Sequence, residues 1–141
     1  MAAAYFQGRI CVEWLADGRL MRLHEPFVFV DSRGRRWSVH AGTHINGSSI
    51  PRMIWPLTGS PFVGRHRMAS VPHDLFCRIR TRSAEDTHAM YREACLVAGC
   101  SSGEARRKAW AVRTFGPWWP EPDQTDPPPA AITSAAMNVA S

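Results

Sequence analysis

The sequence predicts an α+β fold, a small N-terminal antiparallel sheet of three or four strands followed by three helices. Two observations predict it. Short apolar segments separated by turn residues fill positions 8–40, and capped helical periodicities fill positions 63–115. Strands first and helices afterwards is the order of an α+β chain, not of alternating βαβ units. The chain has 141 residues, 45% of them hydrophobic and 21% charged, which suits one domain with its own core.

The first two strand segments, Arg9–Trp14 and Arg19–His24, flank Ala16-Asp17-Gly18. Asp-Gly supplies the positive φ that a tight hairpin needs. Phe27–Val30 and Arg36–Val39 flank Asp31-Ser32-Arg33-Gly34, a second hairpin. Residues 41–62 are broken by Gly42, Gly47, Pro51, Pro56, Gly59 and Pro61, yet hold Ile45, Ile50, Met53, Ile54, Trp55 and Leu57. Such a segment reads as a packed, shaped loop.

Residues 63–80 read as a helix that either kinks at Pro72 or restarts there. Residues 84–98 form the next, with Ser83 as N-cap, Asp86 at the third position and Gly99 as the C′ stop. Residues 102–115 form the last, opened by the Ser101/Glu104 capping box and ended by Gly116-Pro117. Pro117-Trp118-Trp119-Pro120 then closes the domain as an aromatic clasp. The organisation is one domain over 1–119. Residues 120–141, acidic and rich in Pro and Ala, form a disordered tail or a partner-binding arm.

The helical spacings place the polar residues. Ala84, His88, Tyr91, Cys95 and Ala98 share the inward face of their helix, with Asp86 facing out. His73 and Cys77 share a face of the preceding helix. The short linker Arg80–Ser83 makes the two helices antiparallel neighbours, so His73 and His88 can meet across the pair. The pair reads either as core histidines satisfied by backbone or as an imidazole base oriented by a polar partner, with Asp74 available for a cation. The loop Asn46–Pro51 either presents carbonyls and hydroxyls to a ligand or simply fixes Pro51 against the helices.

Charge and cysteine usage narrow the classes. All 17 basic residues precede residue 114 and the formal net charge is +5. This basic body suits phosphate of nucleic acid or anionic lipid, or is simply a solvated Arg-rich face. No helix-turn-helix, zinc-finger or stacking motif accompanies it. The four cysteines, Cys11, Cys77, Cys95 and Cys100, contain no C-x-x-C pair and are expected as free, buried thiols. No apolar run is long enough for a transmembrane segment, and the first residues carry no signal-peptide pattern, so synthesis in a cytoplasm is expected.

Four blocks in order carry a resemblance: Val39–Pro51, Arg52-Met53-Ile54-Trp55-Pro56, Ala69–Arg78, and Ala111-Val112-Arg113-Thr114-Phe115-Gly116. They resemble a phage- and prophage-encoded family of unknown function with the pattern T-D-x-A-S-I-P-R followed by H-D-x-L-Y-R. The resemblance spans about Phe27 to Trp119. That pattern is in turn locally similar to the paired helices of secreted phospholipases A2. There a His activates water, a facing Asp orients it, and the adjacent Asp holds calcium with loop carbonyls.

The resemblance implies His73 as general base, Asp74 as a calcium ligand, and Gly47 to Ser49 as a source of further oxygens. His88 stands in the facing position, where the pattern has Asp. Asn46 replaces the loop Asp, and Cys77 replaces the Tyr. A neutral His88 accepts a hydrogen bond but does not stabilise an imidazolium as a carboxylate does. Asn46 removes a charge that tunes calcium affinity. Zinc is the alternative ion, on His73, Asp74 and His88 with His44 or His66 completing the set.

Two functions follow, and the sequence leaves open whether the protein is an enzyme. One is a phage- or prophage-derived structural or accessory protein, associated with virion, tail or lysis. It would be made in the host cytoplasm, carried on the virion, and joined to phage structural proteins through the 120–141 arm. The other is a phospholipase A2-like, metal-dependent hydrolase of a lipid ester or envelope amide, with His73 as base.

Overall fold

The computed structural model describes residues 2–16, 20–45 and 66–121. The Asp17-Gly18 turn, the 46–62 loop with Asn46, Gly47 and Ser49, the stretch 63–65 and the tail after 121 lie outside the described residues. Among the described residues, six short strands precede three helices: β1 (Tyr5–Gln7), β2 (Val12–Trp14), β3 (Met21–Leu23), β4 (Phe27–Val30), β5 (Arg36–Val39), β6 (His44–Ile45), α1 (Arg67–Ile79), α2 (Ala84–Val97) and α3 (Ser102–Phe115). The fold is α+β, as the element order predicts.

The strands form two three-stranded antiparallel sheets, ordered β1-β4-β5 and β2-β3-β6, where the sequence suggests a single sheet. β4 and β5 match their predicted ranges: β4 is a short apolar run, β5 alternates, and the two flank a turn. β2 and β3 are shorter than their segments. β1 and β6 have three and two residues, too few for a period to show.

β4 is the central strand of its sheet, and all four of its residues are buried. Phe27 and Phe29 face the core, and Phe6 from β1 packs on both rings at 5.4 and 5.1 Å. On β5 the alternation is strict: Trp37 and Val39 point inward between more exposed neighbours. These side chains meet Val71, Leu75 and Phe76 of α1, then Tyr91, Ala94 and Cys95 of α2, and Ala105, Ala111 and Val112 of α3. Trp37 and Phe76 join sheet to helix, edge to face, with centroids 4.9 Å apart.

The β4–β5 turn is built around Asp31. Its carboxylate accepts from the backbone N–H of Arg33 and Arg35, from Arg35 Nε and from Trp37 Nε1, at 2.9–3.0 Å. Gly34 takes φ +83°, and its N–H donates to the Asp31 carbonyl.

α1 begins at Arg67 and is continuous through Pro72 in its second turn, so the helix does not restart there. The ring leaves one carbonyl of the first turn without its usual donor. The helix stops at Arg80, whose φ of +53° is unusual for a side-chain-bearing residue. The Arg80 N–H donates to Phe76 O and its Nε to Cys77 O.

α2 and α3 begin as their sequences predict, with Ser83 Oγ accepting from Asp86 N at 3.0 Å and Ser101 Oγ from Glu104 N at 3.2 Å. After α2, Cys100 N reaches Cys95 O and Gly99 N reaches Leu96 O, with Gly99 at φ +105°. This is the paired closure that favours glycine at C′. Ser83→Ala removes the α2 cap and is expected to lower stability by about 1 kcal/mol, read as a reduced melting temperature. Among the described residues no helix is long and apolar enough to cross a membrane.

Candidate functional site

The α1–α2 pair brings His73 and His88 together. The inward positions Ala84, His88, Tyr91 and Cys95 are buried, and Thr87, Met90 and Ala94 widen the same face. Ala98 is only half-buried. Asp86 is half-exposed and pairs with Arg35 at 3.1 Å across to the sheet.

His73 Nε2 lies 2.9 Å from His88 Nδ1, and His88 Nε2 lies 2.9 Å from the Pro117 carbonyl. Chemistry fixes the protons along this chain. A carbonyl only accepts, so His88 carries its proton on Nε2 and its Nδ1 is the acceptor. His73 then donates from Nε2, and its Nδ1 keeps a lone pair. That Nδ1 is buried with no hydrogen-bond partner among the described residues.

Both imidazoles are held neutral. Burial, then the neighbouring His88, takes His73 well below the usual histidine range. Burial also lowers His88, against the Pro117 carbonyl that favours its charged form and with the Arg113 charge adding to the lowering. The group facing His73 is an imidazole, so no carboxylate in that position stabilises an imidazolium.

The pair is enclosed. Both histidines are 0% exposed. The Tyr91 ring lies 4.6 Å from that of His73. Trp118 and Trp119 lie 5.4 and 5.9 Å from that of His88. The Trp119 indole donates to Arg82 O at 2.8 Å, and the Arg80 guanidinium lies 5.1 Å over its ring. The predicted aromatic clasp therefore holds the C-terminal end of the described domain onto α2.

Asp74 is next to His73 but one step round the helix. It is 1% exposed, and its carboxylate lies 3.4 Å from Arg78. Burial of this carboxylate was not legible from its place beside a histidine. Asn46, Gly47 and Ser49 lie outside the described residues.

Cys77 completes the cluster. Its Sγ lies 3.6 Å from His73 Nε2, one turn along α1. Among the described residues, His73, Cys77 and His88 bring one ligand atom each to within 4.8 Å of one another. Asp74, His44 and His66 are not in that group. Burial, the Asp74 charge and the opposing Arg80 charge leave the Cys77 thiol protonated at neutral pH. Sequence reasoning placed His73 and Cys77 on one face and read Cys77 as a free, buried thiol and a departure from a pattern, not as a ligand. The i, i+4 spacing was the available signal.

A second feature escaped sequence reasoning. Arg92, Arg106, Arg113, Trp110 and Trp118 line an open groove of about 480 Å³ on the outer side of α2 and α3. Trp110, Phe115 and Trp118 are each about half exposed beside or within it, at 53%, 49% and 50%.

Comparison with known proteins gives a family and relatives without a described activity. The family model described as "Protein of unknown function (DUF1353)" matches residues 21–112. The chain is 41% identical over 105 residues to the uncharacterized protein y4jT of Sinorhizobium fredii (strain NBRC 101917 / NGR234), covering 74% of this chain and 31% of y4jT. It is 33% identical over 97 residues to the uncharacterized protein y4iH of the same strain, covering 69% of this chain and 41% of y4iH. The matched segment thus spans less than half the length of either relative. No solved structure matches it.

Proposed function

The chain belongs to the DUF1353 family of proteins of unknown function, and we propose that it is a structural or accessory component of a phage or prophage, acting as a docking module. The observation that carries this reading is the exposed Trp and Arg groove on α2 and α3. Large exposed aromatics raise the free energy of a free monomer, and Trp with Arg dominates the energetics of protein interfaces. The matched segments of y4jT and y4iH sit within longer chains, as a reusable module does.

The phage assignment rests on the four sequence blocks shared with a phage- and prophage-encoded pattern. The acidic 120–141 segment supplies a second contact to phage structural proteins, and the basic body supplies contacts to lipid or nucleic-acid phosphate. The protein is made in the host cytoplasm and carried on the virion.

The hydrolase reading keeps His73 beside Asp74, with calcium held by Asp74 and the Asn46–Ser49 loop. It needs substrate at His73, and the full burial of His73 favours the docking reading instead.

Sedimentation of phage particles from an induced culture expressing the tagged chain tests the proposal. The wild type is expected to sediment with particles. Trp110→Ala combined with Trp118→Ala is expected to reduce the bound fraction by about tenfold or more, since interface aromatics contribute roughly 2 kcal/mol each. Absence of the wild type from every phage particle and phage-protein complex would overturn it.

A further inference from the structure

We propose that His73, Cys77 and His88 form a three-ligand binding site for a zinc-class divalent ion between α1 and α2. The inference is independent of the docking reading.

Two of the three donor pairs stand near the required spacing, and all three donor atoms lie within 4.8 Å of one another. Zinc binds imidazole nitrogen at about 2.0–2.1 Å and thiolate sulfur at about 2.3 Å. Tetrahedral angles then set nitrogens roughly 3.3 Å apart, and nitrogen and sulfur roughly 3.6 Å apart. His73 Nε2 and His88 Nδ1 are 2.9 Å apart, and His73 Nε2 and Cys77 Sγ are 3.6 Å apart. A few tenths of an ångström at one imidazole turns a hydrogen-bonded pair into two ligands.

The surroundings are those of a built site. The three side chains are 0%, 4% and 0% exposed and stand on two packed helices, so their directions are set before an ion arrives. His88 Nε2–H is already anchored on the Pro117 carbonyl, the outer hydrogen bond that orients a ligating histidine. That anchor leaves Nδ1 as its free donor atom, and Nδ1 is the atom facing the cluster.

The protons balance. His88 keeps its tautomer. His73 moves its proton from Nε2 to Nδ1, the atom without a partner among the described residues. Cys77 loses its thiol proton and forms the sulfur–metal bond. One proton leaves per ion bound, and nothing is oxidised or reduced.

The donor chemistry selects the ion. Calcium takes a shell of oxygens, whereas two imidazoles and a thiolate suit zinc and its neighbours. Three protein ligands leave one tetrahedral position for water or an anion. With ligands on both helices, the ion clamps α1 to α2 and raises the melting temperature through binding to the folded state alone.

The test uses the full chain, stripped with chelator and titrated with cobalt(II), then zinc. The expected result is saturation at one equivalent with a thiolate-to-cobalt charge-transfer band, displacement by zinc, one proton released per ion, and a raised melting temperature. Cys77→Ser is expected to abolish the band, and Cys100→Ser to keep it. A wild type without the band or without one-equivalent uptake would overturn the proposal, whatever the variants do. So would a band that survives in folded Cys77→Ser or is lost in folded Cys100→Ser.

Discussion

Asp31→Ala is expected to destabilise the domain by about 3 kcal/mol, because it removes a buried carboxylate paired with the part-buried Arg35 and strands its other hydrogen-bond donors. Asp31 is 2% exposed and its two oxygens receive four donors. Two are backbone N–H groups of the turn, one is the Trp37 indole and one is Arg35. Without the carboxylate, the Trp37 N–H loses its acceptor. Arg35 keeps its ion pair with Asp86 and its place over the Trp37 ring. The expected fall in melting temperature is on the order of 10 °C for a domain of this size.

The same carboxylate predicts an acid limb of stability. Burial pushes the Asp31 pKa up, but hydrogen bonds from Trp37 and Arg35, with the Arg35 charge, outweigh it and hold the group below its ordinary 3.8. A pKa lowered by folding contributes stability above the unfolded value and loses it as pH falls through the folded value. Wild-type stability therefore declines below about pH 4 with an Asp31 contribution. Denaturant melts across acid pH are expected to show that part of the slope missing in Asp31→Asn.

Trp37→Ala is expected to cost about 3–5 kcal/mol, the range for emptying a buried aromatic site. Trp37 is 0% exposed, packs edge to face on Phe76, and carries the Arg82 guanidinium 4.2 Å from its ring. Trp37→Phe keeps most of the apolar contact and loses the indole N–H to Asp31, so its loss is smaller. The Asp31→Ala and Trp37→Ala effects are expected to fall short of additive, because both remove the same hydrogen bond. Urea melts of the two single variants and the double variant measure that coupling.

What was legible in the sequence was local. Ser83 with Asp86, Ser101 with Glu104, and Gly99 each act within a few residues, and the structure forms all three ends. The meeting of His73 and His88 was also legible. A short linker makes neighbouring helices antiparallel, and the two residues stand at similar distances from it. Pairings across long separations were not. β1 lies against β4, with Tyr5 opposite Val30, although β1 has three residues and no turn signal joins them. Asp31 reads as an ordinary turn residue. Its bond to the Trp37 indole depends on the sheet bringing that ring back over the turn. Cys77 reads as the loss of a phenol. Only its distance to His73 makes it a candidate third ligand.

The central distinction is between an enclosed imidazole pair and a working base. The direct measurement is turnover of lipid-ester and amide substrates by the wild type and by His73→Ala, each with and without zinc or calcium. Enclosure of His73 predicts rates at background for both proteins under every condition. A wild-type rate well above background that is lost in a folded His73→Ala protein would contradict the docking-module reading and make His73 a catalytic base.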